Sequence, residues 1–326
     1  MKNRITSIDY AKGFAIMCVV LGHVLYFCVY EQHAETSPLF RFIYSFHMPL
    51  FFLLSGLVVS VKPKSLRKAF GDMKKRFLSL IMPMLLIGGF FTLLLGNYEQ
   101  HFLDTDMKSG YWYLMVLFLY YLLIRFSEVI TFYICANGGG KIVTILILLL
   151  VWQLLLRTIH RIPHEIISSL SLVQSQLYLP YFAVGVALNS YRNIFCNQWV
   201  LIVSGLLWCL SPMFQFHYLI HILSVLAAVF SIMCMVVIFD KHEGQVKIIM
   251  CYLGQHTLCI YCFHYFFIQL MNFSFVGYWL SDKQNIMLEF VVCLVPMIIA
   301  IIGALIINRI VQSSSFLSKL LFPKNT

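Results

Sequence analysis

Charge is what this sequence has least of. Only 11% of its 326 residues are charged and 61% are hydrophobic, whereas soluble domains average about 25% charged and about 45–50% apolar residues. The deficit runs along the whole chain, so no separate soluble domain is expected. We therefore predict an all-α, polytopic membrane protein in which residues 1–326 form a single integral-membrane domain.

Other features are also missing, and each absence argues against a class of protein. No internal repeat is evident, so an inverted-repeat transporter has no sequence support. The first apolar run is too long for a signal peptide, and no small-residue cleavage site follows it, so cleavage is not expected. The ten cysteines lie mostly in apolar segments and suggest no disulfide framework. Cys259 and Cys262 form a CxxC among aromatic residues, where packing is favoured over redox or zinc chemistry. No metal site is predicted.

Acidic residues are scarce too, with 13 against 23 lysines and arginines and a net charge of +10. Such an excess can indicate nucleic-acid binding, but here the cations collect in particular loops, which is the topology signal of a membrane protein. Residues 62–76, for example, hold seven cations and one acid. No nucleic-acid partner is expected, and ordinary contact with membrane lipids explains much of this loop equally well.

Apolar runs long enough to cross a bilayer, about twenty residues each, occur about ten times. The predicted spans are 8–30, 42–61, 77–96, 111–134, 142–157, 177–191, 199–213, 217–239, 250–271 and 287–308. Alternation of these spans leaves five of the 23 Lys and Arg residues on the side opposite the N-terminus: Arg41, Lys108, Arg157, Arg161 and Lys283. The positive-inside rule then predicts a multi-pass protein with both termini in the cytoplasm.

The first span carries the most informative pattern. Lys12 and His23 are eleven residues apart, which on a helix returns to almost the same face about 16 Å further along the axis. His23 would then lie roughly 10 Å below the outer surface. Ionisable groups at such depth are costly and often functional. The alternative is a histidine that simply hydrogen-bonds a neighbouring helix.

Two further histidines are predicted at a similar depth. His47 enters from outside, roughly 8 Å deep, and Pro49 beside it can bend the segment and open room. His264 lies some fourteen residues along the ninth span. Each histidine alone could be a satisfied core residue, but three at one level favour a polar site.

At this point the residues resemble a known family, the membrane acyltransferase-3 proteins, which acylate sugars and polysaccharides of the cell envelope. Lys12 and His23 fit the family's spacing of a basic residue, ten others and a histidine, although arginine is its commoner basic residue. The segment 51–56, FFLLSG, looks like the FFxxSG element, and 261–264, YCFH, resembles a late tyrosine–histidine segment. Ten spans match the family's usual fold.

The resemblance also has departures. Residues 110–114, GYWYL, resemble a tryptophan element that many members continue with a glutamate, but Leu117 stands at that place. A role for that acid is therefore unsupported. The chain also shows no periplasmic esterase-like domain of the kind fused to some members, so the transfer would be completed here or by a separate protein.

The resemblance implies transfer of an acyl group, expected to be acetyl, from acyl-CoA to a hydroxyl of an envelope glycan or lipid-linked sugar. Such a transfer needs a base or an acyl-carrying nucleophile, and neutral imidazole can be either near pH 7. His23 is the leading candidate for base or acyl carrier. The other candidates are His47 and His264 for catalysis, Lys12 and Arg4 for the donor phosphates, and Tyr261 and Trp112 for the acceptor.

Two other functions remain open. A transporter or flippase for a glycan or small anion would use intramembrane histidines as proton-relay or substrate groups. A non-catalytic subunit of an envelope-polysaccharide assembly would need no acyl donor at all.

Overall fold

The fold was taken from a computed structural model, which describes residues 6–31, 33–94, 102–134, 139–210 and 218–322. Within these ranges the regular structure is helical, which confirms the all-α prediction. The α-helices of the described residues are α1 (Thr6–His23), α2 (Pro38–Tyr44), α3 (His47–Leu57), α4 (Leu66–Arg76), α5 (Gly89–Leu94), α6 (Trp112–Ile134), α7 (Gly140–Thr158), α8 (His164–Leu170), α9 (Leu172–Leu188), α10 (Gln198–Leu210), α11 (Tyr218–Asp240), α12 (Gln245–Gln255), α13 (Thr257–Ile268), α14 (Ser274–Ser281), α15 (Ile286–Ser313) and α16 (Ser315–Leu321).

Seven helical segments of the described residues are long and apolar enough to cross a membrane. They are Thr6–Val29, Pro38–Leu57, Leu66–Leu94, Trp112–Ile134, Gly140–Arg161, His221–Asp240 and Ile286–Ser313. The helices α12 and α13 make an eighth candidate, bent by 85°. The predicted count of about ten is not confirmed, because the predicted spans 177–191 and 199–213 correspond to shorter helices, α9 with 17 residues and α10 with 13.

The third span starts eleven residues before its predicted boundary at residue 77. Its helix includes α4, where most of the cations of the predicted basic loop lie. A search for continuous apolar runs does not find α4, because this helix is amphipathic, with Ala69 buried and Phe70 exposed.

The chain divides into two compact units. The first contains Met1–Leu54 and Tyr191–Asn308, and the second contains Ser55–Ser190 and Arg309–Thr326. This division does not test the predicted single domain, which stays a prediction.

In the first unit, α1 and α12 cross with their backbones in contact. A side chain at Gly13 would collide with the carbonyl of Met250, and one at Gly254 would collide with the carbonyl of Asp9. Small residues permit such close crossings of membrane helices, where van der Waals packing drives association. The two glycines therefore fix how α1 lies on α12.

A buried carboxylate anchors the segment between the first two spans to α15. Glu289 is 1% exposed and accepts hydrogen bonds from Tyr30 Oη at 2.6 Å, Ser37 Oγ at 2.8 Å and the Leu39 amide at 2.9 Å. Ser37 also caps α2 by accepting from the Phe40 amide. Burial, followed by the hydrogen bond to Glu289, raises the pKa of Tyr30. Glu289 thus fixes the start of α2.

The second unit contains a charge cluster around α6. Glu128 is fully buried, pairs with Arg125 and accepts a hydrogen bond from the Lys62 amide at 3.0 Å. Lys64 pairs with Asp72 at 2.5 Å and lies 3.6 Å from Glu128. Lys64 and Arg125 are therefore committed to contacts within the protein.

The last two residues of the FFxxSG-like segment, Ser55 and Gly56, belong to this unit, and Ser55 meets the GYWYL segment. Ser55 Oγ and Tyr113 Oη are 3.0 Å apart, and a side chain at Gly56 would collide with the Phe182 carbonyl. Gly56 is therefore needed where the chain at residues 55–56 lies against the backbone of α9.

Candidate functional site

His23 lies where the geometry of the first span changes. The regular helix α1 ends at His23, and a π-helical segment, Val24–Val29, continues the span. π-helical segments also occur at Phe77–Ile81 and Met84–Gly88, so the segment after His23 does not by itself mark a functional site. The change of pitch starts directly after the imidazole that the sequence singled out.

A chain of hydrogen bonds runs through His23. Its Nδ1 is 2.8 Å from Nε2 of His264, and its Nε2 is 3.0 Å from the hydroxyl of Tyr265. Nδ1 of His264 is 2.9 Å from the carbonyl of Ile260. The two imidazoles stack with ring centroids 5.1 Å apart.

The hydrogen-bonded chain determines which nitrogen of each neutral imidazole carries the proton. The Ile260 carbonyl is its fixed end, because this group can only accept a hydrogen bond. Nδ1 of His264 therefore carries the proton and its Nε2 is an acceptor. His23 must then donate from Nδ1, which leaves the lone pair on its Nε2. Tyr265 donates its hydroxyl proton to that lone pair. Nε2 of His23 is therefore the base atom of the site, and an incoming hydroxyl must replace Tyr265 at its lone pair.

The two histidines differ in accessibility. His264 is fully buried, while His23 is only half-buried. Of the pair, only His23 therefore has exposed surface that another molecule could contact.

His47 lies one aromatic ring away from this pair. It is the first residue of α3 and is 4% exposed, with Nδ1 2.9 Å from the carbonyl of Ile43. Its ring is 4.6 Å from that of Tyr44, and a side chain at Gly22 would lie 2.9 Å from Tyr44. Gly22 therefore lets Tyr44 lie between His47 and the end of α1.

The span that contains Pro49 is broken at residues 45–46, between α2 and α3. Proline has no amide hydrogen for the carbonyl four residues earlier, and its ring crowds that carbonyl, which here belongs to Ser45. The break therefore lies where a bend caused by Pro49 is expected.

The other sequence candidates fall in different places. Tyr261 is buried on α13 with its ring 6.2 Å from that of His264. Lys12 is half-buried on α1, three turns before His23. Trp112 belongs to the second unit, where it stacks on Tyr178 at 5.3 Å. Arg4 lies outside the described residues. The structure brings His23, His264 and Tyr261 together, while the roles of all these residues stay predictions.

The ninth predicted span is not one straight helix. It breaks at His256, where α12 and α13 meet at 85°. The depth of His264 was predicted by counting along a straight helix, which this span does not form. His264 nevertheless contacts His23.

Sequence reasoning missed Tyr265 and Glu289. Tyr265 directly follows His264 in a run of aromatic residues that reads as packing, and only the rotation of α13 shows which hydroxyl faces His23. Glu289 had a usable signal, since it is an acid at the start of an apolar span.

The arrangement suits proton transfer. A neutral imidazole with its lone pair held by one hydroxyl and its N–H held by a second imidazole is oriented for general-base work. Among the described residues, no group of three or more His, Cys, Asp or Glu side chains could hold a metal ion. The described cysteines are free.

Comparison with known proteins gives one match over nearly the whole chain. A family model described as an acyltransferase domain matches residues 5–307. The Nodulation protein NolL of Mesorhizobium japonicum is 33% identical over 140 residues, which are 38% of this chain and 36% of that protein. The Nodulation protein NolL of Sinorhizobium fredii is 41% identical over 87 residues, 26% of this chain and 23% of that protein. The matches thus span only about a third and a quarter of these relatives' lengths. No solved structure matches the chain significantly.

Proposed function

The chain belongs to the acyltransferase-3 family, and we propose on that basis that it transfers an acyl group to a hydroxyl of an envelope glycan or lipid-linked sugar. The donor in this proposal is acyl-CoA, with acetyl-CoA as the expected form. Family membership supports an acyltransferase in general. The identities of the donor, the acyl group and the acceptor are proposed here.

The observation that carries the proposal is the hydrogen-bonded chain Tyr265–His23–His264. In the proposed step, Nε2 of His23 takes the proton of the acceptor hydroxyl while its oxygen attacks the thioester carbonyl. The tetrahedral intermediate expels the thiolate, which takes the proton from Nε2 as it leaves. The imidazolium formed in between still donates its Nδ1 proton to Nε2 of His264, so His264 stabilises the charge through a hydrogen bond.

A second route keeps the same residues and changes the order of events. Nε2 of His23 first attacks the thioester, expels the CoA thiolate and carries the acyl group. The acceptor hydroxyl then attacks this acyl group and releases His23 Nε2, and the hydroxyl proton converts the CoA thiolate to the thiol. The two routes can be distinguished in the absence of acceptor, because only the second route attaches the labelled acyl group to the protein. Rapid mixing with labelled acetyl-CoA, followed by quenching, separates them.

The donor's charged nucleotide stays at the cytoplasmic face in this proposal. Lys12, with Arg4, would bind its phosphates, since Lys12 lies about 16 Å from His23 along α1. The acceptor would arrive from outside, and Tyr261 and Trp112 remain candidates for binding it. Both termini would be cytoplasmic, and the membrane would be the inner one.

Replacement of His23 by alanine tests the chemistry. The purified variant, supplied with acetyl-CoA and an acceptor glycan, should lose acyl transfer while inserting normally into membranes. His256→Ala is a matched control, because His256 also lies in the broken span and contacts a carbonyl one turn earlier, that of Tyr252. Full activity of the His23 variant would overturn the proposed mechanism.

One observation favours the transporter alternative. The 85° break at His256 makes the eighth candidate span discontinuous, and discontinuous helices form substrate sites in many transporters. Flux of a glycan across proteoliposomes without any acyl donor would support that alternative. Thioester consumption that depends on His23 would exclude it as the main activity.

A further inference from the structure

The second unit holds three buried oxygen atoms that lack hydrogen-bond donors. They are Oε1 of Gln174, Oγ of Ser175 and Oδ1 of Asp106, each without a partner in the part of the chain that the structure describes. Gln174 is 8% exposed and Ser175 is 3% exposed. Buried polar atoms in proteins are nearly always paired, so three unpaired oxygens require an explanation.

These residues lie at one place. Ser171, just before α9, donates from Oγ to the carbonyl of Asp106 at 3.0 Å. Gln174 donates from Nε2 to Sδ of Met107 at 3.4 Å. The turn at 106–107 therefore lies on the first turn of α9, which carries Gln174 and Ser175.

The backbone is strained at the same place. Lys108, Ser109, Gly110 and Ser171 have φ values of 44°, 48°, 92° and 49°, four of the seven left-handed φ values among the described residues. Non-glycine residues in this conformation cost free energy and cluster at functional sites.

Lys108 holds this strained turn in place. Its fully buried ammonium donates to the carbonyls of Ser168 at 2.6 Å, Thr105 at 3.2 Å and Leu103 at 3.3 Å. The buried positive charge also makes the neighbouring oxygens a poor site for a cation.

An aromatic surface adjoins the unpaired oxygens. One turn further along α9, Tyr178 stacks on Trp112 with ring centroids 5.3 Å apart and planes 20° from parallel. Tyr178 is only half-buried, so part of its ring can meet a ligand. An aromatic face beside fixed hydrogen-bond acceptors suits a ligand that has an apolar side and several donors.

We propose that Gln174, Ser175 and Asp106 bind the hydroxyl groups of a sugar ring that packs against Tyr178. A sugar supplies O–H donors to three acceptors and a C–H face to the aromatic ring. The biological meaning rests on the proposed function, because the bound sugar would be part of the acyl acceptor. The loop containing Asp106 lies on the side that the sequence predicts to be external.

Binding of methyl glycosides to the full-length protein in detergent tests the site without any acyl donor. The probes are the methyl glycosides of glucose, galactose, mannose and N-acetylglucosamine, titrated by saturation-transfer NMR. The variants are Gln174→Leu and Ser175→Ala. Gln176→Leu is the matched control, since Gln176 lies on the same helix two residues further on and is half-buried.

We expect at least one glycoside to bind the unmodified protein and the Gln176 variant equally. Binding to the Gln174 and Ser175 variants should be at least fivefold weaker, because a sugar hydroxyl then loses its acceptor. Thermal stability of the Gln174 variant should be equal or higher, because an unpaired buried oxygen has been removed. This combination of lost binding and retained stability is the signature of a binding site.

Two outcomes would overturn the proposal. One is that none of the glycosides binds, and the other is that binding is the same in the Gln174 variant, as expected if the oxygens only hold buried water. Glycoside binding by the His23→Ala variant separates this site from the catalytic proposal. Retained binding with no transfer in any variant would refute the acyltransferase mechanism and leave the sugar site standing.

Discussion

Removal of the acceptor on His264 should slow acyl transfer without removing the base. In His264→Leu, Nδ1 of His23 loses the partner that it contacts at 2.8 Å. When Nε2 takes a proton during the reaction, that lost hydrogen bond is one made by a charged imidazolium. Hydrogen bonds to charged groups contribute about 1.5–3 kcal/mol, and each 1.4 kcal/mol is a factor of ten. We therefore expect kcat to fall by about tenfold to about 150-fold, with little change in the KM for the donor.

A conservative variant distinguishes hydrogen bonding from other roles of the ring. The amide oxygen of His264→Gln can accept from His23, so this variant should recover much of the lost rate. The control is His256→Leu, because His256 makes the same contact with the carbonyl four residues earlier, at 2.9 Å in both cases, and should keep full activity.

The assay is release of free CoA from acetyl-CoA in the presence of acceptor, measured with purified protein at fixed pH. Full kcat in the leucine variant would refute the acceptor role of His264. Equal loss in the glutamine and leucine variants would also refute it, because the amide supplies the same kind of acceptor.

Three further predictions concern other residues. Lys12→Ala should raise the KM for acyl-CoA and weaken its binding in calorimetry, while Lys12→Arg should be mild because the charge is retained; unchanged affinity in Lys12→Ala would remove the assignment. Glu289→Gln should destabilise the protein by about 1–3 kcal/mol and lower its Tm, because the amide NH2 group would face the groups that donate to the carboxylate now. An unchanged Tm would contradict the anchoring role. Burial lowers the pKa of Lys108 in the folded protein to about 8, from 10.5 in the unfolded chain. Between these two pH values the unfolded state binds more protons than the folded state, so the free energy of unfolding should rise as pH rises from about 8 to about 10.5. Lys108→Met should flatten that gain, and identical pH profiles would show that the residue contributes nothing to it.

The contact between His23 and His264 shows where sequence reasoning about the site stops. The predicted depths of His23, His47 and His264 suggested a shared layer, but the span that carries His264, taken as straight, contains the 85° break at His256. Nothing local marks that break strongly, since the residues around it are neither proline nor a glycine run. The partner Tyr265 could not be chosen over Tyr261 without the rotation of α13.

Composition by itself determined the class of this protein. With 11% charged residues, most segments can satisfy their backbone only as helices buried in an apolar medium, and the pattern around His23 was enough to suggest the family. The sequence could not give the number of complete spans. The helices α9 and α10 are apolar but short, and α4 carries many cations yet continues into the third span. The tautomers, the close crossing at Gly13 and Gly254, and the unpaired oxygens near Gln174 depend on contacts between residues far apart in the chain. Only the tertiary structure decides these, because local sequence sets the helices while the packing of distant helices sets which side chains meet.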